Sequence, residues 1–164
     1  MLMKDAGICG VVRRTHRQTP QDTHAASYAE NPLTRNFKAE AANLKWVTDI
    51  TYIPTEQRWL YVSVVMDLTS RRIVGWSFQS KLEASIATKA LAMAINQRKT
   101  TPGLLVHSDR GSQFESDAFQ KQLADNKFVQ RLSRKVDCWH TAAMESFFGT
   151  LKQELVYRVT YKTR

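Results

Sequence analysis

Three acidic residues in this chain occupy settings where a carboxylate can do chemistry. Asp49 lies in the middle of the strand-like run Trp46-Val47-Thr48-Asp49-Ile50-Thr51-Tyr52-Ile53. An acid inside so apolar a strand is costly unless it is paired, hydrogen-bonded or metal-bound. Asp109 follows the apolar Leu104-Leu105-Val106 and opens His107-Ser108-Asp109-Arg110-Gly111-Ser112-Gln113-Phe114. Open α/β sheets display ligand-binding groups at such strand ends, and Gly111 allows a sharp turn and close approach of a ligand. Glu145 falls in the first turn of a helix expected over residues 142–156. Carboxylates from three separate elements can converge and hold two hard divalent cations through oxygen.

Each residue also has a plainer reading. Asp49 could be a sheet-rim acid paired with a basic side chain. Glu145 could complement the positive end of its helix while Lys152, two turns further on, is merely solvated. His107 could be a packed histidine satisfied by backbone, and Arg110 is either a phosphate contact or a surface charge. Fifteen acids in 164 residues make many triples, so context rather than spacing selects these three. Asp67, also near a strand end, reads as a turn residue closing on Thr69 and Ser70.

The elements that must position these groups follow from pattern. Residues 1–43 form a basic, poorly structured arm with Arg13, Arg14, His16 and Arg17, then a polar stretch containing Pro20 and Pro32. Leu44 begins the core. The run to Ile53 ends at Pro54, Trp59 to Met66 reads as a central strand, and Arg72 to Gln79 as a third, making an antiparallel meander. Residues 83–98 have helical spacing, residues 104–107 make a short buried strand, 115–126 a second helix and 128–132 a fifth strand. The last helix carries the stripe Met144, Phe147, Leu151 and Leu155, and a short tail, residues 158–164, follows the core. The order β-β-β-α-β-α-β-α predicts an α/β fold, a mixed five-stranded sheet flanked by helices.

Bulk properties agree. A net charge of +9 and a pI near 9.8 favour a polyanionic partner, nucleic acid above all. No stretch approaches the roughly 20 apolar residues of a membrane span, and no signal-peptide pattern opens the chain, so a cytoplasmic location is expected. Cys9 and Cys138 read as ordinary thiols of a reducing compartment, and a zinc site using Cys138 and His140 lacks two further ligands.

Four motifs carry a resemblance: Trp46 to Tyr52, Asp67 to Trp76, His107 to Phe114, and Glu145-Ser146-Phe147-Phe148-Gly149-Thr150-Leu151-Lys152. In this order and spacing they resemble the catalytic core of bacterial insertion-sequence transposases, in the branch nearest retroviral integrases, over residues 44–157. The resemblance implies a ribonuclease-H-like fold and a DDE triad at Asp49, Asp109 and Glu145 serving as both catalytic residues and metal ligands. It implies magnesium, with manganese as a substitute, and a homo-oligomer on double-stranded transposon ends and target DNA. Lys152 matches a lysine near bound DNA, and Arg110, Arg134, Lys135, Arg13 and Arg14 are the other expected DNA contacts. The expected activity is metal-dependent strand nicking and strand transfer by a polynucleotidyl transferase. The alternatives are a non-catalytic DNA-binding remnant and a ribonuclease-H-type nuclease.

Two departures accompany the resemblance. Such proteins usually have a glycine and then an Asp-Asn pair before the last helix, where this chain has Val136 and His140-Thr141. Thr141 is expected to cap that helix. Relatives also usually continue past the glutamate helix and carry an N-terminal helix-turn-helix, so the chain reads as a core trimmed at both ends.

Overall fold

A computed structural model describes residues 41–132 and 138–164, apart from the side chains of 138–141. Strand β1 (Lys45–Pro54), β2 (Trp59–Asp67) and β3 (Ile73–Gln79) form the meander. Helix α1 (Ser85–Gln97), β4 (Leu105–Ser108), α2 (Asp117–Asp125), β5 (Val129–Leu132) and α3 (Cys138–Glu154) follow, with a 3-10 turn at Val156–Arg158. The sheet order is β3-β2-β1-β4-β5. The first three strands pair antiparallel, whereas β4 runs parallel to β1 and β5 parallel to β4. The predicted element order and mixed five-stranded sheet are thus the ones found.

Alternation along β1 separates two apolar layers. Trp46 goes to the layer that holds Val65, Val74 and Val106 under α1 and α2. Val47 and Ile53 go to the opposite layer, with Val62, Val64 and Met66 under Ala143, Met144 and Phe148 of α3. Helix α1 seats directly on β3 at Gly75, where an added Cβ would come within 2.2 Å of the Ala90 carbonyl oxygen.

The pairing of β1 is asymmetric. Its β2 partner runs along it from Trp46 to Pro54, but β4 meets only Lys45, Trp46 and Val47. Beyond Val47 the β4-side edge of β1 has no strand partner among the described residues, and this opening lies where β4 ends.

The last helix differs from expectation at its start. It begins at Cys138, four residues before the predicted Ala142, so Thr141 lies within it and is not its cap. No glycine or proline in Cys-Trp-His-Thr obliges the helix to start later, and capping preference alone is a weak boundary marker. Its buried stripe also shifts: Met144 and Phe148 are enclosed, Phe147 and Leu151 pack at the margin, and Leu155 is half exposed. The tail residue Tyr161 packs against this layer, and its carbonyl accepts the Glu56 N–H.

Candidate active site

Asp49 lies between Val47 and Ile53 on the face of β1 that α3 covers, as alternation predicts. It is half-buried, and its Oδ1 accepts the N–H of Ile50 at 2.7 Å. Its carboxyl is pushed up from an ordinary 3.8 to about 6. Burial is the main cause, since a low-dielectric surrounding disfavours the charged form. The Ile50 N–H and the Lys152 ammonium pull it back, while the negative charges of Asp109 and Glu145 push it further up. Both other acids therefore lie close enough for Asp49 to feel their charge.

Asp109 follows the last residue of β4 and is exposed. Its Oδ1 accepts the Gly111 N–H at 2.9 Å, closing a tight turn. Gly111 does not use the left-handed conformation open to glycine. Its role is spatial: an added Cβ would lie 3.0 Å from that Asp109 oxygen.

The loop is held from both ends. Phe114 is buried in the α1–α2 layer, and its carbonyl accepts the side-chain amides of Gln120 (2.7 Å) and Gln130 (3.2 Å). Gln130 also donates to Ser108 Oγ at 3.0 Å, so one amide on β5 ties the end of β4 to the end of the loop. Sequence reading missed Gln130. Its signal was faint, a polar residue at an intermediate position of a short strand.

Glu145 is exposed on α3, and it lies seven positions into the helix rather than in the first turn. The helix dipole acts within the terminal turn, so it does not account for an acid placed here. Lys152 lies two turns on, its Nζ 4.9 Å from the centroid of the Tyr52 ring. Between them Gly149 faces open space, with nothing within 4 Å of an added Cβ.

Among the described residues, no three His, Cys, Asp or Glu side chains stand close enough together to enclose one metal ion. The three acids thus share an electrostatic field without forming a ready coordination sphere. Of the other predicted residues, His107 is buried in β4 and Arg110 is exposed beside Asp109. Asp67 is fully buried and accepts the N–H groups of Asn43, Thr69 and Ser70, the turn role expected for it. Arg13, Arg14, Arg134 and Lys135 lie outside the described residues, as does the predicted arm up to residue 40.

Residues 39–138 match the integrase core domain family. The chain belongs to this family. Over 155 residues this integrase core is 41% identical to the transposase InsF for insertion sequence IS3A of Escherichia coli K12, covering 94% of the chain and 54% of that relative. It is 40% identical over 134 residues to the transposase for insertion sequence element IS904 of Lactococcus lactis, with 82% and 53% covered. The chain spans about half the length of the curated relatives it matches.

The fold also matches solved structures. A chain of the simian T-cell lymphotropic virus intasome, solved with the PP2A regulatory subunit B56 gamma, aligns with a TM-score of 0.64 at 20% identity, covering 74% of this chain and 42% of that one. The HTLV-2 integrase catalytic core domain, solved in complex with magnesium, aligns with a TM-score of 0.56 at 20% identity, covering 68% of each chain. At this identity the likeness establishes the ribonuclease-H-like fold. No helix among the described residues of the integrase core is long and apolar enough to cross a membrane.

Proposed function

We propose that this chain is the catalytic core of an insertion-sequence transposase, cutting a DNA strand at a transposon end and joining the freed 3′-hydroxyl to target DNA. One observation carries the reading: the half-buried Asp49 carboxyl is coupled to both Asp109 and Glu145, acids supplied by three different elements. A basic protein that gathers acids at one place gains nothing in stability from their repulsion. A cation between them reverses the sign of that interaction.

The donor set fits magnesium, and manganese in its place: three hard carboxylate oxygens from Asp49, Asp109 and Glu145. Asp109 and Glu145 are exposed, and such side chains reorient in picoseconds to nanoseconds. They can therefore close on an ion that the present arrangement does not enclose. Bound cations would activate the attacking oxygen and stabilise attacking and leaving oxygens of the phosphodiester.

The chain's own groups do the rest. The Ile50 and Gly111 N–H groups orient the two aspartates, and the Gln130 amide steadies the Asp109 loop. Lys152, and Arg110 beside Asp109, offer positive charge to DNA phosphates. As in the resemblance, the chain would work as a homo-oligomer on double-stranded DNA, in the bacterial cytoplasm at the nucleoid.

Nicking of supercoiled plasmid in magnesium tests this. Asp109→Asn should abolish nicking and leave DNA affinity largely intact. Equal nicking by variant and parent would overturn the assignment.

A further inference from the structure

The far end of the β1–β2 hairpin carries two large rings that neither apolar layer encloses. Tyr52, near the end of β1, is 52% exposed, and Trp59, at the start of β2, is 48% exposed. The strand register pairs Tyr52 with Tyr61 and Pro54 with Trp59, so the two rings are diagonal neighbours across the hairpin. Their centroids are 4.9 Å apart with planes at 77°. An edge-to-face contact occupies one face of one ring only, so the Trp59 indole keeps a face that Tyr52 does not cover.

Exposed aromatics are common and by themselves mean little. Here a second observation sets their chemistry. Lys152 Nζ lies 4.9 Å from the Tyr52 centroid, and Lys152 stands two turns from Glu145 on the same helix. Tyr52 leaves β1 on the face opposite Asp49, but this stretch of β1 has its β4-side edge open. One cation thereby links the ring pair to the carboxylates. Along the strand, the Tyr52 backbone is about 10 Å from that of Asp49 and the level of Trp59 about 17 Å, a span of about three to five nucleotides at a rise of 3.4 Å each.

An open aromatic face, a lysine beside it and a phosphate-directed centre a few nucleotides away suit a nucleotide. The base stacks on the ring, and the adjoining phosphate takes the lysine. Inside a paired duplex both faces of each base are covered and even the terminal pair frees only one, so an unpaired base uses such a site far more readily. We infer that Tyr52 and Trp59 form a stacking platform for an unpaired base of the DNA strand at the carboxylate site, with Lys152 on the phosphate next to it. The inference rests on the transposase reading and narrows its substrate: frayed or overhanging DNA ends are preferred over fully paired ones.

The test measures binding without metal, so that catalysis does not enter. Fluorescence anisotropy in chelator compares two labelled hairpin DNAs of one sequence, one with a paired end and one ending in three unpaired nucleotides. The parent should bind the unpaired end about tenfold more tightly. Trp59→Ala and Tyr52→Ala should remove most of that preference and leave paired-end affinity within about twofold, while Trp59→Phe, which keeps a ring, retains it. Should the alanine variants lose their thermal transition, Trp59→Leu keeps the apolar hairpin contact and makes the same comparison. Equal parental binding of both ends, or a variant that weakens both ends alike, overturns the platform. Platform variants that bind like the parent, while Asp109→Asn still fails to nick, would reject the platform and leave the active site standing. Loss of end preference in a protein that never nicks would do the reverse.

Discussion

Asp109 stands level with Asp49 across neighbouring parallel strands, two residues beyond the last partners of their ladder, Val47 with His107. Equal spacing beyond that last rung puts both aspartates at the same end of the strand pair. Because β4 stops at Ser108, the second aspartate emerges into the opening beside β1 rather than into another ladder rung. The third acid comes from above, on the helix that covers the same face.

The raised carboxyl of Asp49 makes the metal-free protein pH-sensitive. The folded state holds this proton more tightly than an unfolded chain, whose Asp has the ordinary value of 3.8. The folded state therefore binds more protons between about pH 4 and 6, and stability falls as pH rises through that window. In chelator at pH 7.5, Asp49→Asn should be more stable than the parent by about 1–2 kcal/mol, discounting a larger shift for solvent screening. The gap should close near pH 4. Thermal melts across that range check this, and a gap independent of pH would refute it.

Magnesium should act in the opposite sense. A cation that binds only the native state raises Tm, so added magnesium should stabilise the parent and do much less for Asp49→Asn or Glu145→Gln. Differential scanning fluorimetry reads this without any DNA. Identical shifts in parent and both variants would place the ion elsewhere.

Gln130→Ala should remove the tie between Ser108 and the Phe114 carbonyl, at a cost of about 1–2 kcal/mol. Nicking should fall with little change in DNA binding, because the Asp109 loop loses its restraint. Hydrogen exchange at Gly111 and Phe114 is the direct measurement, and unchanged protection there would exclude a positioning role.

Two glycines should respond in opposite ways. Gly75→Ala drives a methyl into the backbone of α1 and should destabilise by about 3 kcal/mol. Gly149→Ala meets open space on a helix and should stabilise by about 1 kcal/mol. Urea unfolding of both variants measures the contrast.

Much of this arrangement was legible in residue pattern, for particular reasons. A period of two along Trp46 to Ile53 assigned Asp49 to its face correctly, because burial on both sides leaves the alternation little choice. The turn at Asp67 was legible because a carboxylate followed by Thr and Ser offers a local hydrogen-bonding solution. The start of α3 was not. Cys138 to Thr141 contains nothing that stops a helix, and the capping preference of Thr141 points to a boundary the backbone does not use. Nor does alternation report register, so the level placement of Asp49 and Asp109 required the parallel β1–β4 pair to be seen. Gln130 escaped because its partners lie 10, 16 and 22 residues away, beyond any local rule.

The parallel pairing of β1 with β4 has a consequence for how the protein comes into being. The aspartates stand 60 positions apart, with three strands and a helix between them, and Glu145 comes later still. Contacts of such range form only after the intervening segments are in place, and loop closure makes them late. A ribosome that has not yet passed residue 145 therefore carries an incomplete set of the three acids, and β1 and β4 must already be paired before Glu145 can join them.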